Sequence, residues 1–156
     1  GQVFVVPSGP ETAIYLPGGL IVMNRDLIED TEDASVVAGH IISAAAQVRI
    51  QDPLAALLQE TGISTTFTLL TTGDIQPEIL RTYAETLFAN PPDQPDDANL
   101  LELFEAAQIP STPFAYAIDV TGETTLGLIE ADPMDAVQAT PLLSDAEWIS
   151  LQGICG

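Results

Sequence analysis

The sequence predicts an α+β fold, mostly helical, with a small β-sheet or hairpin near the N-terminus. Three observations lead there. Short runs of β-branched and aromatic residues, broken by Pro and Gly, fill the N-terminal part. Behind the acidic pair Glu32 and Asp33 comes a long stretch, Ala34–Ile50, that is apolar nearly all round, as a central buried helix is. Farther on, apolar residues return at helical spacing over Pro77–Ala89. The chain has 156 residues, 46% hydrophobic and 17% charged, which suits one domain over 1–156 with a sizeable core and argues against disorder.

Taken in order, Gln2–Val6 reads as a first strand, Pro7 and Pro10 bound a turn, and residues 12–16 read as a second strand. Pro17-Gly18-Gly19 makes a tight turn into a third strand over 20–23, because Gly tolerates the positive φ such turns need. Residues 25–30 form a short helix ahead of Ala34–Ile50, whose end Arg49 marks. Pro53 opens the next helix, over 54–60, and Gly62 stops it. Residues 64–72 fit a strand by composition and a helix by neighbourhood, and both stay open. The helix Pro77–Ala89 carries Ile79, Leu80, Tyr83, Leu87 and Phe88 as its apolar set. A Pro-rich break at 90–95 and Asp96-Asp97 lead into a helix that runs to Gln108. Pro110 and Pro113 punctuate a helical segment reaching Ile118, Thr121-Gly122-Glu123 is a turn, and Ser144 caps a last helix with Trp148 and Leu151.

The charge balance is lopsided. With 23 acidic and 3 basic residues the formal net charge is −20, which repels phosphate backbones and anionic lipid and excludes nucleic acid as a partner class. Cationic peptides would be attracted; adaptation to a salty or extracytoplasmic setting is the plainer explanation. The single cysteine, Cys155, allows no internal disulfide and no Cys-based zinc site. No apolar run reaches the ~20 residues of a membrane span. The chain opens Gly1-Gln2-Val3 without Met, so an upstream segment is expected, and any signal peptide, lipid anchor or membrane helix would stand there.

Tyr15-Leu16-Pro17-Gly18-Gly19-Leu20-Ile21-Val22, followed by Asn24-Arg25-Asp26-Leu27-Ile28, resembles the hairpin and short helix that precede the zinc helix in gluzincin metallopeptidases of family forty-eight. That family takes in CAAX prenyl proteases, heat-shock membrane peptidases and periplasmic protease-chaperones. Acidic residues at 29–33 and then Val36-Val37-Ala38-Gly39-His40 stand where the family has its acidic residues and its HExxH helix. Leu101-Glu102-Leu103-Phe104-Glu105-Ala106-Ala107 resembles the family's second helix, which places Asp93 and Asp97 at its ExxxD motif. Ala131-Asp132-Pro133 sits where many members have His-Pro. The resemblance implies a minigluzincin-type (zincin-like) core and an extracytoplasmic, periplasmic setting, anchored to the membrane only through an upstream segment.

The chemistry that the resemblance implies is largely missing. In HExxH the residues at i and i+4 share a helix face and hold one zinc, while the Glu at i+1 is the general base. Here the motif is His-Ile-Ile-Ser-Ala: His40 keeps the first ligand position, Ile41 stands at the base and Ala44 at the second ligand. Asp93 takes the third ligand's place with a carboxylate one methylene shorter. His40 and Asp93 are thus relic metal positions, with no catalytic residue and no cofactor expected.

His40 also has a plain reading, a core imidazole held by one hydrogen bond; Asp93, Asp96 and Asp97 have theirs, a solvated loop and helix N-terminus. Three functional expectations follow. The first is a catalytically inactive peptidase-like protein, a pseudopeptidase serving as a peptide- or protein-binding or chaperone-like module of the cell envelope. Capture of an extended peptide would use an edge along 12–16 or 20–23. The second is a zinc metalloendopeptidase with an atypical ligand set of His40, Asp93 and Asp132, completed by water or another chain. The third is a structural subunit of an envelope complex.

Overall fold

The structure is a computed structural model. It describes residues 1–50, 52–62, 65, 68, 72, 74, 76–134 and 141–154. The stretch 64–72 lies for the most part outside the described residues, as does Cys155.

Three strands, β1 (Gln2–Val6), β2 (Ile14–Leu16) and β3 (Leu20–Asn24), form one sheet in the order β1-β3-β2. β2 and β3 are the expected hairpin, antiparallel with Tyr15 opposite Ile21. Gly18 and Gly19 both have positive φ, 91° and 79°, so the turn demands the two residues that the sequence supplies. β2 is shorter than its sequence pattern. In this register Thr12 would face Asn24, whose side chain is instead engaged with the Gly9 carbonyl and with Asp26. β1 pairs parallel to β3, with Phe4 opposite Val22. β3 is therefore central and has no free edge, which corrects the expectation of peptide capture along 20–23. The edges of the sheet belong to β1 and β2.

A short helix, α1 (Asp26–Glu29), leads to α2 (Ala34–Ile50), whose bounds are those the sequence predicts. Asp33 accepts hydrogen bonds from the Ser35 N–H at 2.8 Å and the Ser35 hydroxyl, capping the helix start. Then come α3 (Pro53–Thr61), α4 (Pro77–Ala89), α5 (Asp97–Ala107), α6 (Thr112–Ile118), α7 (Leu126–Glu130) and α8 (Asp145–Gln152). Asp52 caps α3 ahead of a Pro at its first turn, Asp96 caps α5, and Ser144 and Glu147 form a capping box on α8. Helix α7 escapes the sequence reading: five residues without a side-chain cap are too few to show a period.

α2 is apolar all round because it is covered from both sides. One side packs with Leu100, Phe104, Ile109, Phe114, Ala115 and Leu128 around Ala46. The other side, through Val37 and Ala44, packs with Ala13, Ile21, Met23 and Ile28 beneath the sheet, with Trp148 and Leu151 of α8 against them. No helix among the described residues is long and apolar enough to cross a membrane.

Candidate functional site

On α2, positions 40, 43, 44 and 47 share one stripe, because i, i+3, i+4 and i+7 stack along a helix face. The stripe is only partly polar. His40 is 5% exposed and stands edge-on to the Phe114 ring, the centroids 5.2 Å apart and the planes at 86°. No hydrogen bond joins its imidazole to another described residue, so the one-bond expectation gives way to an aromatic contact. Burial lowers its pKa to about 4, which keeps the ring neutral at neutral pH. Gly39 makes this contact possible: a Cβ there would lie 2.5 Å from the Cβ of Phe114.

Ala44, which the resemblance sets against a second ligand, is fully enclosed in the apolar cluster beneath the sheet, and Ile41 packs against the same cluster. The residues that the resemblance implies for zinc do not fit one. Asp93 is exposed and lines a cleft to which His40 does not contribute. Asp132 is occupied elsewhere. Its carboxylate accepts the Ser111 N–H at 3.1 Å, the Thr112 N–H at 2.9 Å and the Met134 N–H at 3.0 Å, tying the start of α6 to the loop after α7. Burial pushes the Asp132 carboxyl up, but these donors and the Thr112 side chain outweigh it and hold the group below the usual range. Among the described residues no three His, Cys, Asp or Glu side chains gather to hold a metal ion. Ile41 and Ala44, two of the positions that the resemblance implies, are apolar and offer a hydrated dication no ligand.

The acidic trio separates. Asp96 accepts the Asn99 N–H at 2.9 Å as the cap of α5, and the Asn99 backbone and side-chain donors lower its pKa. Asp97 lies against Gly127 so closely that a Cβ on that residue would collide with its carboxylate. Asp97 also lines a small cleft with Phe114, Ile118 and Leu128, whereas Asp93 lines the one beside β2.

The cleft at Asp93 adjoins the edge of the sheet. It encloses about 290 Å³ between the edge strand β2, the C-terminal turn of α2, α3, α4 and the 90–95 loop. Ile14, Ala56, Leu87 and Pro92 are among its apolar lining and Tyr83, Gln94 and Asp93 among its polar groups. Of the α2 stripe, Gln47 lines it and Ser43 bonds to one of its wall residues. Gln47 accepts the Tyr15 N–H of β2 through Oε1 at 3.3 Å, and the Ser43 hydroxyl donates to Gln94 Oε1 at 2.8 Å. Sequence reasoning missed Gln47 and Gln94, although the i+7 spacing from His40 was a signal for the first. In sequence Tyr83 stands out only as part of the apolar set of α4. Its ring is 6% exposed, and burial, then the Glu60 carboxylate, raise its pKa. No protein-family model, curated protein or solved structure matches this chain.

Proposed function

We propose that this chain is a non-catalytic, peptidase-like binding module, a minigluzincin-type core that has lost its zinc chemistry and holds an extended peptide at the edge of its sheet. The observation that carries the reading is the pairing of an edge strand with a cleft. β2 has a strand neighbour on one side only; on its outer side Gln47 holds the Tyr15 N–H through a single long bond of 3.3 Å that a peptide carbonyl would replace, and the cleft opens there with Ile14 and Tyr15 in its wall. Extended peptides bind such edges through main-chain hydrogen bonds, and alternate side chains drop into adjoining pockets. His-Ile-Ile-Ser-Ala on α2 supports the non-catalytic half, since Ile41 cannot move a proton and Ala44 cannot ligate. We place the module in the cell envelope, where its strongly acidic surface would meet unfolded or extended partners.

The test is binding of short extended peptides with blocked termini, followed by fluorescence anisotropy, in the wild type and in Tyr15→Pro. Proline is tolerated on edge strands; here it removes the Tyr15 N–H, which Gln47 holds in the free protein, and obstructs pairing of a peptide at that position. The reading expects binding to weaken by about tenfold in the variant with helix content unchanged, a loss matching one or two strand hydrogen bonds. Equal binding by a folded Tyr15→Pro protein would contradict it. Zinc-dependent cleavage of the same peptides would favour the endopeptidase reading instead.

A further inference from the structure

The cleft beside β2 combines features that select a particular side chain. Its apolar wall, with Ile14, Ala56, Leu87 and Pro92, suits a hydrocarbon stem. Into the same space come the Asp93 carboxylate and Tyr83, a nearly buried residue whose phenol has no hydrogen-bond partner among the described residues. Tyr83 also lines the neighbouring cleft of about 420 Å³, where Glu60 and Glu78 stand, so negative charge flanks the phenol on both sides. The chain has no cation of its own to meet it. Its only basic residues are three arginines; Arg25 pairs with Asp26 and Glu29, Arg49 pairs with Glu102, and Arg81 lines neither cleft. A net charge of −20 favours a cationic ligand further.

We propose that this cleft is a specificity pocket for a lysine or arginine side chain of the peptide held along β2, its stem on the apolar wall and its charge at Asp93 and the Tyr83 hydroxyl. The inference rests on peptide capture at the β2 edge, and it adds the residue type that the captured segment must carry.

The experiment compares short blocked peptides that differ at one central position, Lys, Arg, norleucine or Glu, bound to wild type, Asp93→Asn and Tyr15→Pro. Asp93 is exposed, so its variant is expected to fold. Lys and Arg should bind about tenfold tighter than norleucine, the worth of one charge-assisted contact in a half-enclosed site. Asp93→Asn should erase that preference, bringing Lys and Arg to the level of norleucine. A Lys preference that persists in Asp93→Asn would overturn the pocket, since the overall charge would then account for it. Binding that ignores the central residue yet falls in Tyr15→Pro would also overturn the pocket and leave edge capture standing. If no peptide binds, edge capture and the pocket fall together.

Discussion

The imidazole of His40 stands inside the helical layer with the edge of one ring against the face of another, and burial alone accounts for its lowered pKa. The consequence for stability has a definite sign. The unfolded chain binds a proton near pH 6.5, whereas the folded chain binds it only near pH 4, so folding loses stability as pH falls through that window. Below about pH 4 the penalty is complete, on the order of 3 kcal/mol. Urea denaturation between pH 7 and pH 4 should therefore show a steeper loss in wild type than in His40→Gln or His40→Phe. Relief of carboxylate repulsion in acid acts on all these proteins alike, so the difference isolates the ring. Identical pH profiles would show that His40 titrates normally and lies nearer solvent. Gly39, beside it, admits Phe114 against the helix backbone. Gly39→Ala gains up to ~1 kcal/mol in helix propensity but forces a packed aromatic ring aside, so a net destabilisation of about 2 kcal/mol is expected in the same assay. A neutral or stabilised variant would mean that α6 packs less closely.

At the scale of elements, α6 and α7 are joined by polar groups rather than by length. Asp132 collects three backbone N–H groups, the fully buried Ser111 hydroxyl donates to the Leu128 carbonyl at 2.6 Å, and Thr125 donates to the Ala115 carbonyl at 3.1 Å. Asp132→Ala leaves the Ser111 and Thr112 N–H groups without that acceptor and should cost about 2 kcal/mol by thermal or urea denaturation. An unchanged stability would show that water or a neighbouring carbonyl replaces the carboxylate. This part of the fold was the least legible in sequence. The turn at Gly122 could be read, but not that the Asp119 carboxylate accepts from the backbone and hydroxyls of both Thr121 and Thr124. Helices α2 and α4 could be read to the residue, because an acidic cap or an initial proline and a long apolar pattern agree with each other there. The parallel pairing of β1 with β3 could not, since alternation along a strand says nothing of which neighbour it takes.

For the molecule as a whole, the candidate site was half legible. The α2 stripe that carries His40 also carries Ser43 and Gln47, and those two reach the edge of the cleft. That Ile41 and Ala44 offer neither a base nor a ligand is plain in sequence, and in three dimensions Ala44 is sealed beneath the sheet, where a ligand would have to displace the core. The cleft itself needs α3, α4 and the 90–95 loop brought together, and no local pattern announces such long-range company. Tyr83 looks like any core aromatic until its neighbours are known.

The measurement that bears most directly on the proposed peptidase-like core without zinc chemistry is the zinc content of the protein purified without chelator or metal-affinity tag, by elemental mass spectrometry, before and after dialysis against excess zinc. Zinc close to none is expected in both samples, because Ile41 and Ala44 can serve neither as base nor as ligand beside His40 and Asp132 is committed to α6. Near-stoichiometric zinc that survives dialysis into metal-free buffer would contradict it, and would require a ligand set other than the one these residues form.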